Sequence, residues 1–297
     1  MQHDQTAGPI ADIANDTTPT AVDGVPGRFT TVIPDGWRVM YAFGGVTMAT
    51  ALRAIEAAVD RPDLRLVTAD ATFCAAVPCG PVAIEVEVLR DGRNGAQAQA
   101  RLWSTDDPAG ARGSDLLVTA VLGADRPGLS SMTSEFPTDA GHPDTSLIRQ
   151  PPADGAGFPQ VPYHDQTDFR LAVGGAAWSR DVEPRGDARS VSWFRFLRPP
   201  VRDDGTWEPA TMAVPADILG PAVVEATGRP NGFFFVVTLQ MSVQWFAPMR
   251  TEWLCQHTRA HHVGNGFSTG VAELWSDERE LVGLATQCAM LRDMKPG

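Results

Sequence analysis

The sequence is almost without lysine: among its 297 residues only Lys295 is one, and it stands beside the C-terminus. This lack excludes the P-loop and Schiff-base chemistries, because both need a lysine within the site. Basic residues are also outnumbered by acidic ones, 24 against 36, so the formal net charge is −12. Because nucleic acids and anionic membranes bind to cationic surfaces, neither is expected as a partner.

Cysteine and long apolar runs are also scarce. The four cysteines (Cys74, Cys79, Cys255 and Cys288) form no C-x-x-C pair, so no metal site and no cofactor is predicted. We expect free thiols in a reducing cytosol, and hence a cytoplasmic protein. No apolar run approaches the roughly 18 residues of a membrane span. The N-terminus lacks the basic and apolar regions of a signal peptide.

Composition divides the chain into four parts. Residues 1–30 are polar and acidic and are predicted to form a disordered tail. Residues 124–166 are rich in proline, glycine and aspartate, which is typical of a long crossover linker. The two remaining parts, residues 31–123 and 167–297, carry regular hydrophobic patterns and are predicted to form two folded units.

Each unit is predicted to contain one helix and several strands. Apolar residues at helical spacing predict a helix over about Val46–Val59. A second helix is predicted over Pro215–Thr227, with a kink or break at Pro221, because proline disrupts a helix interior. Alternating or continuous apolar patterns predict strands near residues 39–43, 64–73, 82–88, 97–103, 116–122, 169–173, 190–197, 232–246, 251–261, 267–275 and 281–291.

The order helix, long strand, hairpin, strand occurs twice, which indicates an internal repeat. Residues 66–70 match 236–240, residues 100–103 match 272–275, and residues 116–122 match 281–287. A mostly apolar helix must be covered on all sides, and a curved antiparallel sheet can cover it. The sequence therefore predicts an α+β fold of two repeats whose sheets join into one continuous sheet.

Several segments between Val39 and Arg292 resemble one known family. They are residues 43–45, 85–93, 193–195, 216–223, 238–240, 273–275 and 285–288, with Arg292 following. In their order and spacing they are similar to the double-hotdog acyl-CoA thioesterases of the TesB type. The resemblance implies a double-hotdog fold and hydrolysis of an acyl thioester, either acyl-CoA or carrier-bound, in fatty acid metabolism.

The resemblance also implies candidate site residues. In the family a carboxylate on the long second-repeat strand, a hydroxyl residue at the next hairpin and a glutamine on the last strand hold the attacking water. On this sequence the carboxylate position falls at Gln240, the hydroxyl position falls near Asn265 with Ser268 just beyond, and the glutamine is Gln287. Glutamine can hold a water but cannot accept its proton, so the base is expected to be missing.

Two further features bear on the site. Phe43, Gly44 and Gly45 stand where the first helix starts, and the resemblance implies that this N-terminus faces the substrate carbonyl. Asp70 matches Gln240 in the first repeat, where Leu122 stands in place of a glutamine. Asp70 is interpreted either as part of a second site or as a hydrogen-bonded structural carboxylate.

Three functions remain open at this point. The first is an acyl-CoA thioesterase in which Gln240 and Gln287 hold the water and Asn265 or Ser268 assists. The second is a non-hydrolytic acyl-binding or assembly protein of the same fold. The third is a hydratase-like enzyme with Asp70 as its base. A homo-oligomer is compatible with each.

Other polar and aromatic groups have competing interpretations. The histidines at 257, 261 and 262 are read as sheet-surface residues rather than metal ligands, and His164 with Asp165 as candidate lid residues. The aromatic residues at 233–235 and 245–246 are predicted to be core residues or, alternatively, the lining of an acyl tunnel.

Overall fold

The computed structural model describes residues 9–106, 114–148, 161–175, 183–228 and 234–293. In these ranges no helix is both long enough and apolar enough to cross a membrane. The helices are α1 Ile13–Asp16, α2 Gly44–Val59, α3 Ala213–Ala216 and α4 Gly220–Thr227. The strands are β1 Thr20–Ala21, β2 Arg28–Ile33, β3 Arg65–Phe73, β4 Gly80–Gly92, β5 Gly95–Ser104, β6 Leu116–Gly123, β7 Leu147–Ile148, β8 Thr167–Val173, β9 Arg189–Phe196, β10 Phe234–Trp245, β11 Leu254–Gly264, β12 Phe267–Ser276 and β13 Leu281–Asp293.

All of these strands belong to one 13-stranded sheet. Its order is β1-β2-β4-β5-β6-β3-β10-β13-β12-β11-β9-β8-β7, and neighbouring strands are antiparallel. The series β2-β4-β5-β6-β3 is repeated in mirror order as β10-β13-β12-β11-β9, and β3 pairs with β10 where the halves meet. The predicted α+β double hotdog with one continuous sheet is therefore confirmed.

Irregularities in the strands define how the two halves correspond. β3 has a bulge between Leu66 and Thr68, and β10 has one between Thr238 and Gln240. When the two bulges are superposed, Asp70 and Ser242 are equivalent positions, 172 residues apart. The Ser242 hydroxyl also donates to Asp70 across the junction of the halves. The sequence match of Asp70 with Gln240 is therefore wrong by two residues, because matching letters does not detect a bulge.

The last strands of the halves need a similar correction. Ala98 pairs with Ala120 at the junction of β5 and β6, and the equivalent pair at β12 and β13 is Gly270 with Gln287. The first-repeat counterpart of Gln287 is thus Ala120 and not Leu122. Both positions are apolar, so under either match the first half has no glutamine at the position equivalent to Gln287.

The central helix α2 is buried along most of its length, as its lack of charge predicts. It starts at Gly44, two residues before the predicted start. The strand predicted over residues 39–43 does not form: this segment has a single bridge between Arg38 and Ala42. The second predicted helix is divided into α3 and α4, and Pro221 lies in the first turn of α4, where its missing N–H costs no hydrogen bond.

The predicted disordered tail needs correction over residues 9–30. Ile13 is fully buried in the core, and the indole N–H of Trp37 donates to Asp16 at 2.9 Å. The backbone N–H of Ala11 donates to Gln166 at 2.7 Å. Buried Ile13 and Phe29, with the pairing of β2 to β4, anchor the segment, and composition alone does not reveal such anchors. Residues 1–8 lie outside the described residues, and the boundaries 31–123, 124–166 and 167–297 stay predictions.

A partly buried cluster of charged residues lies on the flank of α2. Arg53 forms an ion pair with Glu208 at 2.9 Å, and Arg202 donates to the same carboxylate at 2.6 Å. Glu56 lies near this cluster. Burial, reinforced by the negative charge of Glu208, raises the pKa of Glu56 to about 7.

This raised pKa predicts that Glu56→Gln stabilises the protein at alkaline pH. Between about pH 4.3 and 7 the unfolded chain loses the Glu56 proton while the folded chain keeps it, so stability falls as pH rises. Urea unfolding should show Glu56→Gln more stable than wild type by about 1–3 kcal/mol at pH 8, with no difference near pH 4. Glu278→Gln, at an exposed turn position, should match wild type at both values. A variant destabilised at pH 8 would contradict the prediction.

Candidate active site

A cavity of about 570 Å³ lies where the start of α2, the break between α3 and α4, and strand β10 come together. Its wall is mainly apolar, and a few polar groups converge at one point of it, as is typical of small-molecule sites. The lining includes Phe43, Gly44, Thr47, Phe73, Val77, Tyr163, Phe169, Leu171, Phe194, Val214, Asp217, Ile218, Leu219, Val224, Val236, Thr238, Gln256, Gln287 and Arg292.

The polar centre of the cavity is a hydrogen-bonded group of three side chains: Asp217, Thr238 and Gln287. The hydroxyl of Thr238 donates to Oδ1 of Asp217 at 2.7 Å. The amide Nε2 of Gln287 donates to the same oxygen at 2.6 Å and to Oγ1 of Thr238 at 2.5 Å. These contacts hold a carboxylate, a hydroxyl and an amide in one fixed arrangement.

The position of Asp217 follows from the proline after it. In a continuous helix the ring of Pro221 would clash with the backbone carbonyl of the residue four positions earlier, which is Asp217. The chain therefore leaves the helical conformation at Asp217, with φ −83° and ψ 71°, and resumes it at Gly220. This break turns the carboxylate toward the start of α2.

The start of α2 supplies a further donor to the carboxylate. The backbone N–H of Gly45 donates to Oδ2 of Asp217 at 3.1 Å. Gly45 and Asp217 belong to the corresponding helical segments of the two repeats, so these segments are in contact where the halves meet. A helix N-terminus carries a partial positive charge, which favours a carboxylate or a developing oxyanion at this point.

Both glycines at the start of α2 are closely approached by other groups, Gly44 by a side chain and Gly45 by backbone. A Cβ on Gly44 would lie 2.6 Å from Oδ2 of Asp217, and a Cβ on Gly45 would lie 2.5 Å from the carbonyl oxygen of Ala213. The glycines thus allow the carboxylate and the α3 backbone to reach the helix end. Phe43, the residue before them, stacks on Tyr163 with ring centroids 4.4 Å apart and lines the cavity.

Burial governs the electrostatics of Asp217. Removal of the carboxylate from water raises its pKa above the usual aspartate range, while hydrogen bonds from Thr238, Gly45 and Gln287 partly oppose the rise. A carboxylate with a raised pKa is a stronger proton acceptor than an exposed one. Such a shift in a cavity is a feature of general bases.

Gln287 also ties the group to the second helix. Its Oε1 accepts the backbone N–H of Leu219 at 3.1 Å, one residue before α4 begins. The amide is therefore oriented with Oε1 toward Leu219 and Nε2 toward Asp217. In the first repeat the counterparts of Thr238 and Gln287 are Leu66 and Ala120, both buried and apolar. The polar group exists in one half only.

The structure corrects two of the predicted site residues, Gln240 and Asp70. The bulge after Thr238 reverses which residues face the interior, so Met241 and Val243 are buried while Gln240 and Asp70 point away from the cavity. Gln240 donates to the hydroxyl of Ser242 at 3.0 Å, and that hydroxyl is bonded to Asp70. These groups form a polar cluster on the outer face of the sheet.

The predicted hydroxyl region is also elsewhere. Asn265 is exposed in the tight turn between β11 and β12, where its φ of 53° suits an asparagine. Ser268 is fully buried but does not line the cavity. Its strand neighbours are Val263 and Ala289, which belong to the layer packed against α4. The structure therefore brings Phe43, Gly44, Gly45 and Gln287 into the site, but not Gln240, Asn265, Ser268 or Asp70.

Sequence reasoning missed Asp217 and Thr238, although both lie in segments that carried the family resemblance. The signal for Asp217 was Pro221 four residues later, which places a helix break at the aspartate. The signal for Thr238 was weaker. The face of β10 on which the Thr238 side chain lies depends on the bulge after it, and the alternation of apolar and polar residues does not reveal that bulge.

The remaining candidates have assigned places. His257 lies between Glu273, at 3.0 Å, and Arg189, which donates to it at 2.9 Å. His164 lines the cavity, and so do Phe234 and Phe235. Trp245 is a core residue, and Phe233 lies outside the described residues. Within the described ranges no group of three His, Cys, Asp or Glu side chains could hold a metal ion.

Comparison with known families gives two matches along the chain. Residues 33–124 match the acyl-CoA thioesterase N-terminal domain, and residues 141–291 match the acyl-CoA thioesterase C-terminal domain. The second match alone spans half of the chain. A search among curated proteins found no match.

Solved structures of the same fold cover nearly the whole chain. A hotdog-fold protein of unknown function from Alicyclobacillus acidocaldarius has a TM-score of 0.76 at 22% identity, with 95% of this chain and 98% of that chain covered. A putative thioesterase II from Thermobifida fusca has a TM-score of 0.74 at 18% identity, covering 94% and 98%. An acyl-CoA thioesterase II from Mycobacterium marinum has a TM-score of 0.70 at 18% identity, covering 95% and 99%. On the family matches, the chain belongs to the acyl-CoA thioesterase family.

Proposed function

We propose that the protein hydrolyses an acyl thioester by water attack, with Asp217 as the general base. The observation that carries this proposal is the hydrogen-bonded group of Asp217, Thr238 and Gln287 at the N-terminus of α2. Hydrolysis needs a proton acceptor, groups that hold a water, and donors aimed at the developing oxyanion. The cavity lining offers a carboxylate acceptor and groups that can hold a water, and the start of α2 offers the positive end of a helix for the oxyanion.

The reaction proceeds through one tetrahedral intermediate. The water oxygen bonds to the thioester carbon while its proton passes to Asp217, and the carbonyl electron pair moves onto oxygen. That oxygen would face the start of α2, where the positive end of the helix dipole favours the developing charge, while the Gly45 N–H holds Asp217. When the carbonyl re-forms, the carbon–sulfur bond breaks and the thiolate takes up the proton. The products are one carboxylic acid and one thiol.

Thr238 and Gln287 have positioning and water-binding roles in this scheme. The hydroxyl oxygen of Thr238 and the carboxylate of Asp217 both accept from Gln287, so the amide fixes their separation. A water held by the hydroxyl and the carboxylate would be oriented before it attacks. Fixing the reactants in this way lowers the entropic part of the barrier.

The acyl group is assigned to the apolar part of the cavity. Phe169, Leu171, Phe194, Val214 and Val224 line it beyond Asp217, on β8, β9, α3 and α4. Burial of an acyl chain against such side chains contributes about 0.8 kcal/mol per methylene. The protein should therefore favour acyl groups long enough to fill this region over acetyl.

The direct test is thiol release from a panel of acyl-CoAs from acetyl to palmitoyl. We expect release above background for at least the medium or long chains, at a rate proportional to enzyme. If no chain length gives release, the hydrolytic proposal is wrong. Ligand-induced thermal stabilisation without turnover would instead favour an acyl-binding protein of the same fold.

A pair of glutamine substitutions tests the geometry of the site. Gln287→Ala removes the amide that holds Asp217, Thr238 and the N–H of Leu219, so kcat/KM should fall by about 100-fold or more. Gln240→Ala is the matched control, because Gln240 lies on the outer face and should retain wild-type kcat/KM. Equal losses in the two variants would contradict the assignment.

The hydratase-like alternative has less support. It depends on Asp70 as a base, and Asp70 is exposed on the outer face of the sheet, bonded to Ser242. The non-hydrolytic alternative was motivated by a missing carboxylate. Asp217 supplies a carboxylate at the cavity, so hydrolysis is the function that the geometry supports best.

A further inference from the structure

The cavity reaches the surface around one edge of strand β10. Strand β13 pairs with β10 along its whole length, from Phe234 to Trp245. On the other edge β3 pairs only with Gln240–Gln244, because β3 ends at Phe73. Within the described part of the chain, the edge of residues 234–239 therefore has no neighbouring strand.

The lining residues show that the cavity passes around this edge. Six consecutive β10 residues, 234–239, all line it, although neighbours in a strand point to opposite faces. Phe234 and Val236 pack on the interior layer with α4. Phe235 and Val237 belong to the opposite face, where they pair with Arg292 and Met290 of β13. A ligand can therefore extend from Thr238 over the edge to the outer face.

Arg292 stands at the outer end of this route. Its side chain is exposed and lines the cavity, and it is the one arginine or lysine among the described lining residues. In the described ranges it forms no ion pair with another side chain. Its charge is thus available to an anion, in a protein whose net charge of −12 would otherwise repel one.

The separation between the two ends of this route, taken along β13, is close to the length of one common thioester handle. Gln287 and Arg292 are five positions apart on β13, which is about 17 Å at about 3.3 Å per residue. A 4′-phosphopantetheine arm has about thirteen bonds from sulfur to phosphorus, and an extended chain advances about 3.5 Å per three bonds, which gives roughly 15 Å. The phosphate would then lie within reach of the Arg292 guanidinium when the thioester lies at Asp217.

We propose that Arg292 binds the phosphate of a 4′-phosphopantetheine handle whose arm runs over the free β10 edge at residues 234–239. The inference rests on the proposed function, since it locates the handle of the thioester that Asp217 hydrolyses. The free edge presents backbone N–H and C=O groups, and the arm carries two amides that can pair with them. Arginine is suited to phosphate because its planar group donates two parallel hydrogen bonds.

The test compares Arg292→Gln with Arg259→Gln on three thioesters of one acyl group: acyl-CoA, acyl-4′-phosphopantetheine and acyl-pantetheine. Arg259 is an exposed arginine on β11 outside the cavity, so its variant makes the same charge change as a control. Arg292→Gln should raise KM about tenfold for the two phosphorylated substrates, with kcat unchanged. Acyl-pantetheine should react equally with wild type and both variants.

Several results would overturn the inference. An unchanged KM of Arg292→Gln for the phosphorylated substrates would contradict the phosphate contact. An equal rise in KM for acyl-pantetheine would show that the substitution acts through the structure and not through the phosphate. An effect on acyl-CoA alone would assign Arg292 to the nucleotide instead of this phosphate. The 4′-phosphopantetheine group can belong to CoA or to an acyl-carrier protein. Comparing kcat/KM for the same acyl group on the two carriers tells which one the protein uses, and Arg292→Gln should raise the KM for that carrier.

Binding measurements separate this inference from the hydrolytic proposal. If wild type cleaves no thioester, the proposed function fails, and calorimetric titration with free CoA and free pantetheine decides the role of Arg292. Weaker CoA binding by Arg292→Gln, with no loss in Arg259→Gln, would support the phosphate contact. Equal CoA affinity in the two variants would overturn it even where hydrolysis is intact.

Discussion

Asp217→Asn should lower kcat/KM for acyl-CoA hydrolysis by about 10²–10⁴-fold, the range typical for loss of a general base. Asparagine keeps the size of the side chain and can still accept from Thr238 and Gln287, but it cannot take a proton from water. The fold should persist, because the substitution removes a buried charge rather than a packing contact. Thiol release measures the rate, and thermal unfolding checks the fold.

Asp70→Asn is the matched control for this experiment. It makes the same chemical change at a carboxylate on the outer sheet face, so kcat/KM should equal the wild-type value. If Asp70→Asn abolished activity and Asp217→Asn did not, the base assignment would be wrong. The control also tests the hydratase-like alternative, which needs Asp70 as its base.

The pH dependence of the wild type follows from the same carboxylate. Burial raises the pKa of Asp217, and only the deprotonated form accepts a proton from water. The acid limb of kcat/KM should therefore have its midpoint above the usual aspartate value of about 3.9, with activity falling as pH drops through it. Asp217→Asn should remove this limb from any residual activity.

Gly45→Ala should abolish activity and destabilise the fold together. Its Cβ would lie 2.5 Å from the carbonyl oxygen of Ala213 and 2.6 Å from Cα of Val214, so the backbone of α3 must move. Overpacking of this kind typically costs about 1–3 kcal/mol. The shift would also separate the Gly45 N–H from Asp217. Urea unfolding and thiol release measure the two effects.

Gly44→Ala is the informative comparison. Its Cβ would meet the end of the Asp217 side chain at 2.6 Å rather than backbone, so the carboxylate can shift while the helix stays in place. We expect a large loss of kcat/KM with a smaller loss of stability than in Gly45→Ala. Full activity in both variants would contradict the close approach of the helical segments at this site.

Regular elements were the most predictable part of the structure. The helix at Gly44–Val59 follows from apolar residues at helical spacing, and the long strands follow from alternation. The break in the second helix follows from Pro221, although its position at Asp217 depends on where the proline ring would clash. These features are local, so neighbouring residues determine them.

The site was less predictable because it depends on the bulge after Thr238 and on the contact between the helical segments of the two repeats. Gln287 was found from its family position, and Phe43, Gly44 and Gly45 from the start of a helix. Gln240 was assigned in place of Asp217 because the family's carboxylate was sought on a strand. We place the carboxylate instead at Asp217, on a helix break that contacts strand β10 only in the folded chain.

The sequence by itself determined the class of fold, the two repeats and the negative net charge, because periodicity, repetition and charge are properties of the chain in order. Tertiary structure alone decided which polar residues meet. Asp217, Thr238 and Gln287 come from a helix break and two strands, and the bulge after Thr238 turns Gln240 outward. Side-chain direction in a strand changes with one inserted residue, so only the paired sheet specifies it.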